Sequence, residues 1–506
     1  MKRLLGTVFA GLFFVSIANA AIDVQELNRE LADSKASWTA RESAISRLSI
    51  DDLKKLTGLN QEGLFEDVFF DSPFDFEPHV ALPSKWDWRD REGQNWVTPI
   101  LDQGNCGSCV AFAAIATMET QMRIASGFPN YQVKLSPQAL HSCGGGSCTI
   151  GWWPGFAARH LQTVGVPDDA CMPYESGVTG KNGSCSAICP DAAKRRVRIS
   201  SFSRPTVLFG NVNKVKRELL KGPLMTAMLV FEDFAAYGGG IYRHKKGKLV
   251  SAHAASIVGY DDATQSFIMR NSWGDQWGEN GFFRIAYDDI SGAGRMTWAF
   301  QIAPPAGVVS IDQPEGDLYA TGSLPLKVRS TYPRAAGRRL TVYNAKSQPL
   351  WAMSCSQQCD SRLDVSRWTD GRYELDVTAL DAAGKDLGRS QRQAFYVVNR
   401  KPVLALGFVG GKGRDLSKPL SGRVDFDVTS KSSSIPMTSV EFHFSSFDGG
   451  AERVRTAHVV IPKMRIGWKT TTVPNGRYEI WFVGRMKNDV FDERIETARR
   501  TILVRN

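Results

Sequence analysis

The distribution of cysteines constrains the fold of this chain more than any other feature of its sequence. Seven of the nine cysteines lie between residues 106 and 189, and only Cys355 and Cys359 follow. Residues 1–20 run from a basic start through a short apolar stretch to Ala18-Asn19-Ala20, which is typical of a signal peptide, so disulfides are expected. Because seven is an odd number, one thiol of the front half stays unpaired, either for an intermolecular link or for chemistry.

The apolar stretch at residues 4–17 is shorter than the roughly 20 residues of a membrane-spanning helix. We therefore predict a cleaved signal peptide and a secreted protein, in the periplasm or outside the cell. An uncleaved membrane anchor is the alternative. Hydrophobic residues make up 42% of the chain and charged residues 23%, which is ordinary for a globular protein and argues against wholesale disorder.

A removable cover is predicted for residues 21–81, which carry 13 acidic and 6 basic side chains, whereas residues 82–506 carry an excess of basic ones. Opposite charges favour an intramolecular contact between the two parts. Residues 24–59 show the loose spacing of an amphipathic helix, and the Phe-rich, acidic residues 64–77 are expected to be extended. An ordinary helical extension of the N-terminus is the alternative.

Pro304-Pro305 indicates a domain boundary. After it, apolar and polar residues alternate as they do in half-buried strands. The tail also repeats itself. Asp370-Gly-Arg-Tyr-Glu-Leu returns as Asn475-Gly-Arg-Tyr-Glu-Ile at an offset of 105 residues. This period predicts two all-β, Ig-like sandwich domains, at residues 304–400 and 401–506.

The positive charge of the chain is concentrated in this tail. Residues 304–506 carry 31 basic and 21 acidic side chains, whereas residues 1–303 carry equal numbers. The excess suits binding to an anionic surface such as the cell envelope, although a solvated face is the commoner explanation. No aromatic-basic stripe is present, so nucleic acid is not an expected partner. The tail is interpreted as adhesion or spacer modules.

The segment from Gln103 to Glu119 carries the strongest chemical signal. Its glycines and polar residues give way at Cys109 to a helix-forming run. A thiol at a helix N-terminus has a lowered pKa, because the partial positive charge there favours the thiolate. The Cys106–Cys109 spacing also fits a redox pair or half a zinc site, but neither a second such pair nor a thioredoxin-like pattern accompanies it. No metal or cofactor is expected.

Two downstream segments carry polar residues in matching settings. His253 lies at the start of an apolar strand, in residues 251–260. Asn271 follows a strand that ends at Arg270, and Ser272-Trp273-Gly274 comes next. A single histidine is more often structural, but a cysteine, a histidine and an asparagine together favour a catalytic site.

Together these motifs resemble the papain family of cysteine peptidases. Five further stretches are similar to the family: residues 82–90, 98–100, 135–138, 222–224 and 237–242. The resemblance covers residues 82–303 and implies an α+β, two-lobed peptidase with a helical lobe and a β-barrel lobe. It also implies that residues 21–81 are a propeptide that inhibits the enzyme until it is removed, and that the substrates are proteins or peptides.

The resemblance implies a role for each polar residue of the site. Cys109 would be the nucleophile, paired as a thiolate with the His253 imidazolium. Asn271 would orient the imidazole, and Trp273 would shield that hydrogen bond. Gln103 and the Cys109 backbone N–H would stabilise the tetrahedral oxyanion.

The resemblance also implies disulfides and a substrate cleft. Family precedent would link Cys106 to Cys148 and Cys143 to Cys171 or Cys185, leaving one pair near Cys189. Apart from the resemblance, Cys355 and Cys359 are expected to clip a hairpin or loop in the first tail domain. The cleft would be lined by Gly151, Trp152, Trp153, Pro154, Ala252, Ala254 and Trp273. Since Ala252 offers no charge, an apolar side chain is expected next to the scissile residue.

The chain departs from the family pattern at three places. Val110 replaces the aromatic residue after the nucleophile, and Trp152 replaces a glycine of the substrate-pairing strand. The insert at residues 181–190 faintly resembles an occluding loop but lacks its histidine pair, so endopeptidase action is expected. Residues 194–198 read as an exposed loop or a processing site.

Two alternatives to a hydrolase remain at this point. A catalytically inactive peptidase scaffold would act as a surface-binding or adhesion protein. A Cys–His acyl transferase would pass the acyl group to an amine instead of to water. We expect a monomer in each case.

Overall fold

The computed structural model describes residues 22–59, 81–207, 210–314, 318–356, 359–399, 404–408, 419–421, 423–430, 437–447, 453–461, 463–487, 492–497 and 499–506. The predicted signal peptide and the stretch 64–77 lie outside these residues. No helix within the described ranges is long and apolar enough to cross a membrane.

Among the described residues, helices are confined to the front part of the chain (up to residue 303), except for one short 3₁₀ turn in the tail (residues 304–506). Over the described residues, the α-helices are α1 (Val24–Asp33), α2 (Ile50–Leu56), α3 (Cys109–Ser126), α4 (Pro137–Gly144), α5 (Pro154–Thr163), α6 (Ser176–Thr179), α7 (Ala192–Arg195) and α8 (Val212–Leu219). Short 3₁₀ turns lie at Asp169–Cys171, Cys185–Ala187, Glu232–Ala236 and Thr470–Thr472.

Strands run through the whole described chain and make up most of the tail. Those of the front part are β1 (Trp38–Ala40), β2 (Lys85–Asp87), β3 (Ser201–Ser203), β4 (Leu224–Phe231), β5 (Tyr237–Tyr242), β6 (Leu249–Asp261), β7 (Ser266–Arg270), β8 (Phe282–Ala286) and β9 (Met296–Gln301). Those of the first repeat are β10 (Val309–Gln313), β11 (Leu318–Ala320), β12 (Ser323–Ser330), β13 (Gly337–Tyr343), β14 (Pro349–Cys355), β15 (Cys359–Asp364), β16 (Gly371–Leu380), β17 (Asp386–Arg389) and β18 (Gln393–Val397). Those of the second repeat are β19 (Leu404–Phe408), β20 (Arg423–Ser430), β21 (Met437–Ser446), β22 (Arg453–Ile461), β23 (Lys463–Lys469), β24 (Gly476–Lys487), β25 (Asp492–Glu496) and β26 (Arg500–Val504).

The helix predicted to begin at Cys109 is present as α3 and forms the centre of the helical half. Nearly every side chain over its first three turns is buried, which is what an all-round apolar sequence requires. It packs against α4, α5 and β6. The left-handed backbone of Gly127, with φ of 63°, ends the helix.

A nine-stranded sheet forms the other half of the front part, in the order β1-β5-β8-β7-β6-β4-β9-β3, with β2 paired to β6. Its long central strand β6 is almost wholly buried, as expected for an apolar run. The prediction that His253 lies in this strand is confirmed, and Asn271 directly follows the neighbouring strand β7. Helix α3 and strand β6 therefore bring Cys109 and His253 to the boundary between the two halves.

The prediction of one amphipathic helix over residues 24–59 is wrong. The chain forms α1, then the strand β1, then α2. Lys35 has a left-handed backbone, with φ of 50°, which ends the helical path after α1. Trp38 then pairs with Gly240 as an edge strand of the large sheet, so a tertiary pairing overrides the local helical spacing.

In the tail, each repeat has two sheets. The first repeat has sheets β10-β12-β15 and β11-β18-β16-β13-β14, with β17 on β16, and their inner faces share one apolar core. The second repeat has sheets β19-β20-β23 and β22-β21-β24-β25, with β26 on β24. The all-β tail predicted from the alternation is therefore confirmed.

The internal repeat is reproduced in atomic detail. The backbone N–H of Asn399 donates to Asp370 Oδ1 at 2.7 Å, and that of Asn506 donates to Asn475 Oδ1 at the same distance. Each repeat also has a tyrosine whose hydroxyl donates to the carbonyl four residues upstream, at 2.9 Å: Tyr373 and Tyr478. The acceptors Asp370 and Asn475 and the two tyrosines lie 105 residues apart and the two donors Asn399 and Asn506 lie 107 apart, and this near-constant offset of matching contacts makes chance similarity untenable.

A buried ionic network joins the front part to the first repeat. Arg195, Arg392 and Glu374 have side chains only 4–7% exposed, and both arginines contact Glu374 Oε2, at 3.1 and 3.2 Å. Arg195 also contacts Asp168, and Arg392 contacts Asp191 at 3.0 Å. The prediction of an exposed loop at residues 194–198 is therefore wrong for Arg195, because the tail covers it.

Candidate active site

Cys109 is the first residue of α3 and is fully buried. Burial raises the pKa of its thiol to about 11, although backbone N–H groups of Ala254 and Gly58 oppose this change. The helix N-terminus also favours the thiolate, but here the surrounding apolar residues outweigh it. In this covered state the thiol is therefore protonated at neutral pH.

His253 is held by Asn271. The Nε2–H of His253 donates to Asn271 Oδ1 at 2.8 Å, and that oxygen also accepts from the Ser272 backbone N–H. Because a backbone N–H only donates, the second bond fixes the amide orientation and so places the imidazole proton on Nε2. The lone pair of the neutral ring is then on Nδ1. Burial lowers the pKa of His253 to about 4, against the opposing effects of Asn271 and the Leu56 carbonyl.

Trp273 packs over this pair. Its ring centroid lies 5.0 Å from that of His253, and Trp273 is itself buried against Trp277 and Phe234. An apolar cover strengthens a buried hydrogen bond, because water is excluded and the local dielectric is low.

Gln103 is oriented by Ser272. The Ser272 hydroxyl donates to Gln103 Oε1 at 2.7 Å, and the backbone N–H of Gln103 donates to the Ser272 carbonyl at 2.9 Å. The Nε2 group therefore points the other way, where it donates to the carbonyls of Cys106 and Leu56 at 2.9 and 3.0 Å. The side-chain amide thus directs its N–H groups to the turn that precedes α3 and to Leu56.

Tyr174 is a residue of this site that the sequence interpretation missed. Its buried hydroxyl donates to the Gln103 carbonyl at 2.8 Å and lies 2.6 Å from the hydroxyl of Ser108, which precedes the nucleophile candidate. Its ring packs edge-on against Phe112 of α3 at 4.7 Å between centroids. Only the fold brings Tyr174 to this place, and no local pattern around it signals the contact.

The predicted propeptide, residues 21–81, is called the leader below, and its described part, residues 22–59, fills the cleft between the two halves. The backbone N–H of Trp152 donates to the Gly58 carbonyl at 2.9 Å, and that of Leu59 donates to the Ala252 carbonyl at 3.3 Å. A Cβ at Gly58 would overlap the Gly107 backbone. Glycine is therefore required at Gly58, because the leader and the wall of the cleft are in direct backbone contact.

Trp38 anchors the leader at a distance from the cleft. It is 3% exposed and packs against Tyr237 and Tyr242, with ring centroids 6.2 and 5.1 Å away. Its indole N–H donates to the Arg243 carbonyl at 2.9 Å. Lys246 of the same loop contacts Glu30 of α1, so the leader is held by packing and by charge.

The cleft residues predicted from the sequence lie around the leader. Trp152, Trp153, Ala252 and Ala254 belong to the buried apolar cluster that also contains Leu59. Gly151, another of these residues, has a left-handed backbone, with φ of 75°, and a Cβ there would overlap the Gly58 carbonyl. Pro154 begins α5, a position that suits proline, and is buried beside the tryptophans.

Eight of the cysteines are joined in pairs, and Cys109 is the free one. The disulfides are Cys106–Cys148, Cys143–Cys185, Cys171–Cys189 and Cys355–Cys359. Cys143 thus has Cys185 as its partner, one of the two alternatives left open above. Two of these disulfides tie the insert at residues 181–190 to the helical half.

Three potential metal ligands lie together in the described part of the helical half. Within the described part of the chain, Cys106, His141 and Cys148 are the group whose ligand atoms fall within 4.8 Å of one another. Both sulfurs belong to one disulfide, so they offer no thiolate. Burial lowers the pKa of His141 to about 4.

Comparison with known proteins places this geometry in a family. Residues 82–299 match the family model described as papain family cysteine protease. Cathepsin B-like CP3 of Giardia intestinalis is 36% identical over 211 residues, which are 41% of this chain and 70% of that protein. Cathepsin B-like cysteine proteinase 2 of Haemonchus contortus is 30% identical over 241 residues, covering 42% and 70%.

A solved structure, proCathepsin B S9 from Trypanosoma congolense, aligns with 55% of this chain and 96% of its own, at 24% identity and a TM-score of 0.47. The residues that the family model matches lie before Pro304, in the front part of the chain.

Proposed function

Because this chain belongs to the papain family of cysteine proteases, we propose that it is an exported endopeptidase that is made as a zymogen and acts through Cys109, His253, Asn271 and Gln103. The observation that carries the proposal is the position of Leu56. Its carbonyl accepts from Gln103 Nε2 at 3.0 Å and interacts with His253, while the backbone N–H of Gly58, two residues on, interacts with Cys109, the free thiol of the described chain. A carbonyl at that place is polarised for attack by sulfur.

The first half of the reaction forms an acyl-enzyme. His253, neutral with its lone pair on Nδ1, takes the thiol proton, and Cys109 Sγ attacks the substrate carbonyl carbon. Gln103 and the Cys109 backbone N–H donate to the oxyanion. The C–N bond then breaks, the protonated His253 gives its proton to the leaving amine, and a thioester remains on Cys109.

The second half releases the product. His253 takes a proton from water as the water oxygen attacks the thioester carbonyl. The C–S bond breaks, the peptide leaves as a carboxylic acid, and the thiol is restored. Asn271 keeps Nε2–H in place throughout, so that Nδ1 is the nitrogen that exchanges protons with Cys109.

The leader inhibits the enzyme in two ways under this proposal. Residues 57–59 occupy the cleft by backbone hydrogen bonds to Trp152 and Ala252, so no substrate enters. They also exclude water, and burial holds the pKa of Cys109 near 11 and that of His253 near 4. Both shifts favour the neutral pair over the thiolate–imidazolium pair, and both relax when removal of the leader lets water in.

We propose that the enzyme prefers an apolar substrate side chain, because of the place where the Leu59 side chain packs. Its side chain lies in the apolar cluster with Trp152, Trp153 and Ala252. Met225 and Trp298 of this cluster are fully buried, and neither side chain carries a charge. A substrate side chain at the same place is therefore expected to be aliphatic or aromatic.

We further propose that the two tail repeats are Ig-like domains. Tyr373 and Tyr478 each donate to a carbonyl four residues upstream, which is similar to the tyrosine corner of Ig-like sandwiches. Their basic surface is proposed to hold the enzyme at an anionic surface of the cell envelope. Deleting residues 401–506 and measuring retention on such a surface tests this role, and unchanged retention rejects it.

Hydrolysis is tested on the exported chain after removal of the leader, under reducing conditions, with a fluorogenic peptide that carries leucine next to the scissile residue. We expect turnover by the wild type and none by Cys109→Ala. Added amine acceptors separate hydrolysis from acyl transfer, because a transferase would yield amide products. Absence of turnover by the folded, leader-free wild type would reject the proposal.

A further inference from the structure

A cavity of about 280 Å³ lies where the front part of the chain meets the first tail repeat. One wall is formed by Glu119 and Arg123, on the half of α3 that lies away from Cys109. Lys134 lies on the same side, and Gln391 and Gln393 close the cavity from the tail. The cavity is therefore a feature of the junction and is separate from the cleft filled by the leader.

Gln391 belongs to the lining of this cavity, and the orientation of its side-chain amide is fixed. Its Oε1 accepts from the Lys134 backbone N–H at 3.1 Å. A backbone N–H only donates, so this bond identifies the oxygen end of the side chain. Its Nε2 is buried and, in the part of the chain that the structure describes, has no hydrogen-bond partner. Buried donors normally have an acceptor, so the site lacks one.

Two cations lie on the same wall. Arg123 donates through Nε to the Tyr131 carbonyl at 2.9 Å and through Nη1 to the Val97 carbonyl at 3.0 Å, and among the described residues no hydrogen bond engages Nη2. Lys134 has a side chain 44% exposed and pairs with Asp169 at 3.2 Å. These donors favour an anionic group.

The lining contains two acids, Glu119 and Asp169, and both have partners, since Asp169 pairs with Lys134; one amide oxygen of the described lining has none. Glu119 accepts from the Thr98 hydroxyl at 2.6 Å and from the Leu135 backbone N–H at 2.8 Å, one bond to each oxygen. Gln393 Oε1 is buried without a partner within the described ranges. The cavity therefore offers donors for an anion and one acceptor for an N–H group.

From this arrangement we propose that the junction cavity binds the C-terminal carboxylate of a peptide. Arg123 Nη2 and Gln391 Nε2 donate to the carboxylate, and Gln393 Oε1 accepts the N–H of the last peptide residue. Each cut made by a peptidase creates such a carboxylate, so the enzyme's own products belong to this class. The buried ionic network of Arg195, Arg392 and Glu374 holds the two walls together.

The test uses full-length Cys109→Ala, in which the leader stays uncleaved and covers the catalytic cleft. Isothermal titration with N-acetyl-Ala-Ala as the free acid is compared with titration of its C-terminal amide. We expect the acid to bind, and we expect the affinity of the amide to be at least about tenfold lower, because the amide lacks the charge-assisted hydrogen bonds. No binding of the acid, or equal binding of both, overturns the proposal.

Gln391→Glu tests the site itself. It keeps the oxygen that accepts from Lys134 and replaces the free donor with a second acceptor, so acid binding should weaken about tenfold or more. Gln348→Glu, with the same charge change on the exposed β13–β14 turn, should leave binding unchanged. If Gln391→Glu lowers the thermal midpoint, Lys134→Met is the second variant. Unchanged binding in a folded variant of Gln391 contradicts the assignment.

Discussion

The Nε2 group of Gln103 and the carbonyl oxygen of Leu56 lie 3.0 Å apart, so a backbone carbonyl of the leader accepts the hydrogen bond that Gln103 is proposed to offer a substrate. The leader therefore binds to the donor that is proposed to stabilise the oxyanion. Removal of the Gln103 amide should therefore weaken both the binding of the leader and the proposed stabilisation of the oxyanion.

Gln103→Ala should lower kcat/KM of the leader-free enzyme about 10²–10³-fold, because one oxyanion donor is lost. Ser272→Ala should have a smaller effect in the same direction, since Gln103 keeps its amide but loses the 2.7 Å bond that orients it. Steady-state hydrolysis of a fluorogenic peptide measures both. Gln162→Ala, on α5 away from the cleft, is the control, and an equal loss there would point to misfolding instead.

Trp38→Ala should weaken the leader without touching the cleft. The change removes a buried indole, its hydrogen bond to Arg243 and its packing on Tyr242, a loss of about 3–5 kcal/mol for a fully buried tryptophan. We expect faster release of the leader and earlier activity in a time course of maturation. Thr39→Ala, on the exposed face of the same strand, should mature at the wild-type rate. Equal rates for both variants would show that β1 does not control release.

Acid should destabilise the leader-covered protein between pH 6.5 and pH 4. Burial lowers the pKa of both His141 and His253 to about 4 from the ordinary value of 6.5. The unfolded chain therefore binds protons in this window that the folded chain does not, and stability falls as the pH falls. Each histidine contributes up to about 3 kcal/mol over the window.

Urea unfolding at several pH values measures this effect. His141→Leu removes one of the two groups, so its unfolding midpoint should depend less steeply on pH than that of the wild type. His160→Leu, a change at a histidine on α5 that is less buried, should keep more of the wild-type slope. Parallel slopes for wild type and His141→Leu would contradict the assigned protonation state.

The domain junction should depend on Glu374. Glu374→Gln removes the charge that Arg195, Arg372 and Arg392 share. Breaking a buried ion pair costs about 3–5 kcal/mol, so the thermal midpoint should fall and protease cuts should appear near residue 304. Asp386→Asn, which breaks the exposed pair with Arg339, should cost less than about 1 kcal/mol. If both variants behave alike, the network does not hold the junction.

The sequence predicts the parts of this molecule whose signal is local. A glycine-rich turn before an apolar run marks the start of α3 at Cys109, and an apolar run marks β6 around His253. The tail strands follow from alternation, and the repeat follows from two matching hairpins. For these segments the local pattern and the structure agree, whereas the helical spacing of residues 24–59 is a local pattern that the structure overrides at β1.

Other features depend on contacts between distant segments, which no local pattern reveals. Trp38 lies in a strand because Gly240 offers an edge, although the spacing around it is helical. Arg195 lies in a basic run that reads as exposed, yet Glu374 from the tail neutralises it. Tyr174 reaches Gln103 only through the fold. The pairing of Cys143 also needed the three-dimensional path of the insert.

The central claim is that Cys109 is the nucleophile of a self-processing zymogen, and intact mass combined with active-site labelling tests it most directly. The secreted wild type and Cys109→Ala are incubated under reducing conditions with a peptidyl epoxide. If Cys109 is the nucleophile, the wild type loses about residues 21–81 and gains one inhibitor equivalent, while the variant keeps its leader and stays unlabelled. A wild type that keeps its leader and stays unlabelled, or a variant that is processed and labelled like the wild type, would contradict it.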